Sequence, residues 1–109
     1  MEINTRSNGD VALITMDDAK KNAITPEALV GLNAALDEAE SDAKAVVLAG
    51  RPGSFCAGFD LSIMGSGDMD AIRSLAKAAG EFAVRLWSFP KPLVAACTGH
   101  AFTIGAIWL

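Results

Sequence analysis

Two stretches of small residues, each placed just after an apolar run, hold the chemistry of this chain. Arg51-Pro-Gly-Ser-Phe-Cys-Ala-Gly-Phe-Asp60 follows Ala45–Ala49, a run that reads as a buried strand. Gly50, Pro52 and Gly53 turn the chain, and Ala57 and Gly58 then leave the main chain open between Phe55 and Phe59. Small side chains after a strand let a ligand approach the backbone closely. A main-chain N–H there can point at a carbonyl oxygen and stabilise the charge that develops on it during reaction. The second stretch is Pro92-Leu-Val-Ala-Ala-Cys97, another apparent buried strand, followed by Thr98-Gly-His-Ala-Phe-Thr-Ile-Gly-Ala106. Gly99 allows a turn and Gly105 opens a helix, whose first N–H groups lack intrahelical partners and favour negative charge. Two buried parallel strands that each deliver one backbone donor can hold a single ester or thioester oxygen between them.

The elements that must position these donors follow from periodicity and turn chemistry. Glu2–Thr5 and Val11–Met16 read as strands joined through Ser7-Asn-Gly-Asp10, whose Asn-Gly is a hairpin signal. Both faces of the second strand are mostly apolar, which predicts cover on both sides. Asp17–Ile24 is a polar connection. Thr25-Pro-Glu27 starts a helix, with Thr25 as cap, and Leu29, Leu32, Leu36 and Ala39 repeat at helical spacing beside Val30 and Ala35. That helix ends near Ser41-Asp42, and the strand Ala45–Ala49 comes next. After the break at Gly65-Ser-Gly67, Asp68 caps a longer helix to about Trp87. Its apolar stripe is Ile72, Leu75, Ala76, Ala79, Phe82, Ala83 and Leu86. Lys77, Glu81 and Arg85 predict ion pairs along its polar face, and Phe89-Pro-Lys-Pro92 stops it. Strands alternating with helices predict an α/β fold with parallel central strands.

The composition narrows the function classes. The chain has 109 residues, 51% hydrophobic and 20% charged, with 13 acidic and 9 basic side chains and a net charge of −4. This suits one globular domain. Without a basic run it is no candidate for nucleic-acid binding, and no apolar stretch is long enough to span a membrane. The start of the chain lacks the build of a signal peptide, so a cytoplasmic location is expected. Cys56 and Cys97 read as two small buried hydrophobes in a reducing compartment. With one His, they are too few and too poorly spaced for a metal site.

Taken together, these segments resemble the crotonase superfamily, the enoyl-CoA hydratase/isomerase family. The matching landmarks are the hairpin followed by Asp17–Ile24 with Asn22-Ala23, the strand Val46–Ala49, the block Ser54–Leu61, and Lys91-Pro-Leu-Val-Ala-Ala-Cys-Thr-Gly-His-Ala-Phe102. The resemblance covers essentially the whole chain but only the N-terminal part of such an enzyme. It implies a crotonase-like spiral of β-β-α units, incomplete here, that binds an acyl-CoA. Coenzyme A enters only as part of the substrate, with no separate cofactor or metal. The first oxyanion donor would be the N–H of Phe59. The second would be the N–H of Ile104, where the family usually has the middle glycine of a three-glycine run. Coenzyme A would lie along Lys20, Lys21 and Ala23 and along Ala57, Gly58, Asp60 and Leu61, with the lysines near its phosphates. The lysines also read as plain solvated loop charges. The resemblance also implies a homotrimer or a dimer of trimers for the full-length protein.

The chain departs from the family at Ile107, which stands where hydratases carry a water-positioning glutamate. Hydration needs a proton taken from water and one delivered to carbon, commonly by two carboxylates. Isomerase-type or other crotonase chemistry therefore fits better than simple hydration. A catalytically degenerate acyl-CoA-binding or assembly protein is the alternative, and an inactive fragment a further one. His100 reads as a core or supporting histidine, with a general base as the sharper alternative. Asp60 reads as a structural acceptor or helix cap. The apolar end, Thr103–Leu109, carries no helix stop signal, and suggests part of a longer protein. The isolated 109 residues are then expected to be poorly soluble or partly unfolded. Circular dichroism and thermal melting check this, and a cooperative, fully folded melt refutes it.

Overall fold

Gly9, at φ 61°, reverses the chain between β1 (Glu2–Asn8) and β2 (Val11–Asp17) in the computed structural model, which describes residues 1–109. The register pairs Asn8 with Val11. The turn is thus Gly9-Asp10, with positive φ at its first position only, as a type II′ hairpin requires. So tight a turn lets β1 run to Asn8 instead of stopping at Thr5 as the sequence predicts. Next comes β3 (Ala23–Ile24), inside the stretch read as a plain connection. Helix α1 (Pro26–Asp42) starts and ends as expected, with the Thr25 hydroxyl accepting the Ala28 N–H at 3.1 Å.

Strands β4 (Ala45–Ala49), β5 (Gly53–Cys56) and β6 (Gly58–Phe59) follow, then the single turn α2 (Leu61–Met64). Helix α3 (Met69–Trp87) is capped by the Asp68 carboxylate, which accepts the Ala71 N–H at 3.1 Å. The chain closes with β7 (Leu93–Ala96), β8 (Gly99–Ala101) and α4 (Ile104–Ile107). The main sheet has the order β1-β2-β4-β7, antiparallel at the hairpin and parallel from β2 onward. Two small parallel pairs, β3-β6 and β5-β8, stand beside it. The α/β class with parallel central strands is as the alternation predicts.

One hydrophobic cluster joins the sheet to both long helices. Ile14 and Met16 of β2 and Val46 and Leu48 of β4 meet Leu29, Leu32 and Leu36 of α1 and Leu75, Phe82 and Leu86 of α3. Only this side of β2 is fully buried; Val11, Leu13 and Thr15 are half-buried, so cover on both sides is not what the chain provides. Strand β7 is likewise not buried, because it forms the sheet edge, and Val94 is 59% exposed. Ala76, assigned to the apolar stripe of α3 from its sequence, faces solvent instead, because it lies at the edge of that stripe, and Val30 beside the α1 stripe is exposed as well. Lys77 pairs with Glu81 at 3.8 Å, but Arg85 leaves that ladder. It crosses to α1 instead, donating to Asn33 Oδ1 at 2.9 Å and Asp37 Oδ1 at 2.6 Å. A contact between helices wins because α3 packs on α1. Lys91 donates to the carbonyls of Glu40 and Ala43 and so closes the C-terminal end of α1.

Short α4 is held by its side chains. Ile104 and Trp108 are buried, the Trp108 ring meets Phe82 edge-on at 4.8 Å, and its Nε1–H donates to the Ala79 carbonyl at 3.3 Å. Phe82 therefore links α3, the hydrophobic cluster on the sheet and the C-terminal end of α4. Phe82→Ala is expected to lower unfolding stability by about 3–5 kcal/mol, measured by urea denaturation; a loss under about 1 kcal/mol contradicts this packing.

Candidate functional site

The two small pairs of strands put the predicted site residues around one cleft of about 730 Å³. Lys20, Lys21, Ala23, Ala57, Phe59, Asp60, Leu61 and His100 all line it. Gly58 and Ile104 do not: Gly58 is buried beneath the wall, and Ile104, 8% exposed, belongs to the core. Arg51, Pro52, Gly53, Ser54, Ser62 and Phe102 also line the cleft and were not foreseen as site residues. Arg51 opens the turn block, and Phe102 stands two residues after His100, on the same side of an extended segment. Those positions were the available signals.

The wall carrying Lys20 and Lys21 is rigid although its sequence is polar. Asn22 is fully buried at φ 60°. Its Nδ2 donates to the carbonyls of Met16 at 2.9 Å, Phe55 at 3.0 Å and Ser54 at 3.3 Å. Its Oδ1 accepts the Asp18 N–H at 3.0 Å. One carboxamide thus ties the end of β2 to β5. The Asp18 carboxylate accepts the N–H groups of Lys20 at 2.7 Å, Asn22 at 2.8 Å and Ala23 at 3.0 Å. Burial opposes ionisation of Asp18, but the amides of Asn22, Ala23, Lys20 and Lys21 together outweigh it and hold its carboxyl below the ordinary 3.8. Arg51 closes the same loop, with Nε on Asp17 Oδ1 at 2.9 Å and Nη1 on the Lys20 carbonyl at 2.7 Å.

The two predicted donors sit on segments that touch. In the β3–β6 pair, Asp60 N–H donates to the Ile24 carbonyl at 3.0 Å. Successive amides of a strand point to opposite edges, so that of Phe59 is directed away from β3. Ile104 is the first residue of α4, where the amide has no intrahelical acceptor. Thr103 before it has φ 51° and ψ −120°, a conformation that side-chain-bearing residues rarely adopt. This fixes the plane of the peptide that carries the Ile104 N–H. The Phe102 N–H donates to the Cys56 carbonyl at 2.9 Å. A Cβ on Gly58 would collide with Thr103 Oγ1 and lie 3.1 Å from the Phe102 carbonyl. A Cβ on Gly105 would lie 2.6 Å from the Cys56 carbonyl oxygen.

The remaining candidates fall into place around this contact. Cys56 is buried, and burial pushes its thiol up to about 11, so it stays protonated. Cys97 is exposed, not buried as expected, because it follows the edge strand. His100 is not a core histidine either. It is exposed in the cleft and stacks on Phe102, with ring centroids 5.5 Å apart at 12°. Asp60 caps α2 by accepting the Ser62 N–H at 2.8 Å. The Ser62 hydroxyl, then this amide, hold its carboxyl below 3.8.

Two outcomes are expected. Asn22→Ala leaves three buried carbonyls without their donor, at a cost of roughly 2–4 kcal/mol in urea unfolding. Asp18 has a lower pKa folded than unfolded, so its contribution is complete above about pH 4 and is lost as pH falls further. Stability measured between about pH 6 and 3 falls, and Asp18→Asn flattens that fall; an equal fall in both proteins contradicts the assignment.

The family model of enoyl-CoA hydratase/isomerase matches residues 6–108. The Mycobacterium tuberculosis protein named Probable enoyl-CoA hydratase EchA14 is 42% identical over 100 residues, covering 87% of this chain and 38% of that protein. A crystal structure named for Probable enoyl-CoA hydratase EchA3 of Mycobacterium tuberculosis superposes with a TM-score of 0.95 at 42% identity, over 98% of this chain and 46% of that one. A Mycobacterium tuberculosis structure described as an apo enoyl-CoA isomerase gives a TM-score of 0.92 at 40% identity, over 98% and 46%. The chain spans less than half the length of these relatives, and its α/β architecture is the crotonase fold that they share. With the family model running through both small-residue segments and every element between them, this chain belongs to the enoyl-CoA hydratase/isomerase family.

Proposed function

We propose that the chain binds an acyl-CoA thioester and supplies two oxyanion donors, the N–H groups of Phe59 and Ile104, to an enzyme that works through an enolate. The observation that carries this reading is the backbone contact between residues 56–58 and 102–105. It brings the two amides onto adjoining segments beside the cleft. Coenzyme A runs along Lys20–Ala23 and Ala57–Leu61, and the cations of Lys20 and Lys21 meet its phosphates. The enzyme acts in the cytoplasm as a homotrimer or a dimer of trimers.

The reaction is of isomerase type, or another crotonase reaction, rather than simple hydration. Ile107, 52% exposed on α4, is a hydrocarbon that can neither position water nor carry a proton. Asp60 is the carboxylate in the cleft lining, but its Oδ1 is engaged in capping α2 and its proton affinity is lowered. Proton transfer needs another group. The same two features favour, as a second reading, an acyl-CoA-binding protein without turnover.

Phe59→Pro in the full chain deletes one donor outright. Its kcat on an enoyl-CoA is expected to fall roughly 10²–10³-fold, or about 2.7–4 kcal/mol, while calorimetry still detects acyl-CoA binding. Unchanged turnover overturns the assignment of the donors. Binding without any turnover in the unmodified protein selects the second reading, and absence of binding overturns both.

A further inference from the structure

Between the two donor-bearing segments stands one side chain that the cleft does not expose. The Sγ of Cys56 accepts the Gly58 N–H at 3.4 Å. Its carbonyl accepts the Phe102 N–H at 2.9 Å. Gly105 lies against it so closely that a Cβ there would be 2.7 Å from Cys56 Cβ and 2.9 Å from Sγ. The residue before it is held as well, through Asn22 Nδ2 on the Phe55 carbonyl at 3.0 Å. Cys56 therefore contacts the residue immediately before Phe59 and the residue immediately after Ile104.

We infer that Cys56 is a positioning residue: the size of its side chain and the acceptor character of its sulfur set the separation of the Phe59 and Ile104 amides. A backbone donor cannot be tuned by its own side chain, so its position depends on what lies between the segments. A larger group at 56 pushes Gly105 and the start of α4 outward. A group with no acceptor frees the Gly58 N–H and loosens the turn into Phe59. Cys56 has no part as a nucleophile, since it is fully buried and does not line the cleft. This inference rests on reading the two amides as the site of a thioester oxygen.

The test uses the full chain with butanoyl-CoA carrying ¹³C at the thioester carbon. The carbonyl chemical shift on binding reports polarisation of that bond, calorimetry reports affinity, and turnover of an enoyl-CoA gives kcat and KM. Unmodified protein is expected to move the carbonyl resonance downfield, and Cys56→Ser to keep most of that shift. Cys56→Ala is expected to lose much of it and to lower kcat roughly tenfold, since displacements near 1 Å can cost about 10²-fold, with affinity and KM little changed. Cys56→Val is expected to lose more, and melting curves identify any variant that fails to fold. A folded Cys56→Ala protein that keeps both the shift and kcat overturns the inference. So does one that loses kcat only in step with acyl-CoA affinity. Unmodified protein that binds the ligand with no carbonyl shift instead overturns the reading of the amides, and this inference with it.

Discussion

Backbone packs on backbone where residues 56–58 meet residues 102–105, and the arrangement of the cleft follows from that approach. It is possible only because Gly58 and Gly105 have no Cβ: each would drive an atom into the opposite segment. Thr103 is held in a sparsely populated conformation at the same place, a cost of order 1–3 kcal/mol that persists only where the surroundings over-determine it. The surroundings here are the core itself. Ile104 is buried directly after Thr103, Trp108 is buried at the other end of α4, and Trp108 is fixed on Phe82 and on the Ala79 carbonyl. Burial of large apolar groups thus holds a strained peptide in place, and that peptide aims an amide.

The opposite wall reaches rigidity by another route. Residues 17–23 contain little to bury, yet Asn22 is wholly enclosed and its donors and acceptor are used. A buried amide without partners would be costly; fully bonded, it specifies one conformation. Asp18 collects the amides of the loop around a charge, and Arg51 spans from Asp17 to the Lys20 carbonyl. Lys20 and Lys21, both lining the cleft, consequently project from a main chain held by these bonds.

The sheet connects these two walls. Parallel pairing of β2, β4 and β7 sets the ends of successive strands side by side. The chain leaving β4 passes through β5 and β6, while that leaving β7 passes through β8. The β5–β8 pair then joins the two exits, with Ser54 opposite His100 and Cys56 opposite Ala101. The two long helices, α1 and α3, take no direct part in the cleft. Their contribution is the apolar cover of one sheet face, which fixes the strand ends from which the site is built.

Local chemistry was enough to locate α1, α3 and β4, because caps such as Thr25 and Asp68 and apolar repeats act over a few residues. It also located the small-residue segments, since close approach to a backbone requires small side chains whatever the surrounding fold. Tertiary structure alone decided the rest. The two- and three-residue strands β3, β6 and β8 have no periodicity to read and exist only through partners distant in sequence. Burial of β7, Cys97 and His100 was misread for a related reason: an apolar run looks the same at a sheet edge as at its centre. Arg85 bonds Asp37, 48 residues away on α1, rather than Glu81 one turn before it, because α3 packs on α1. Residue type and spacing determine what a segment can form, whereas exposure and pairing depend on which other segments arrive beside it.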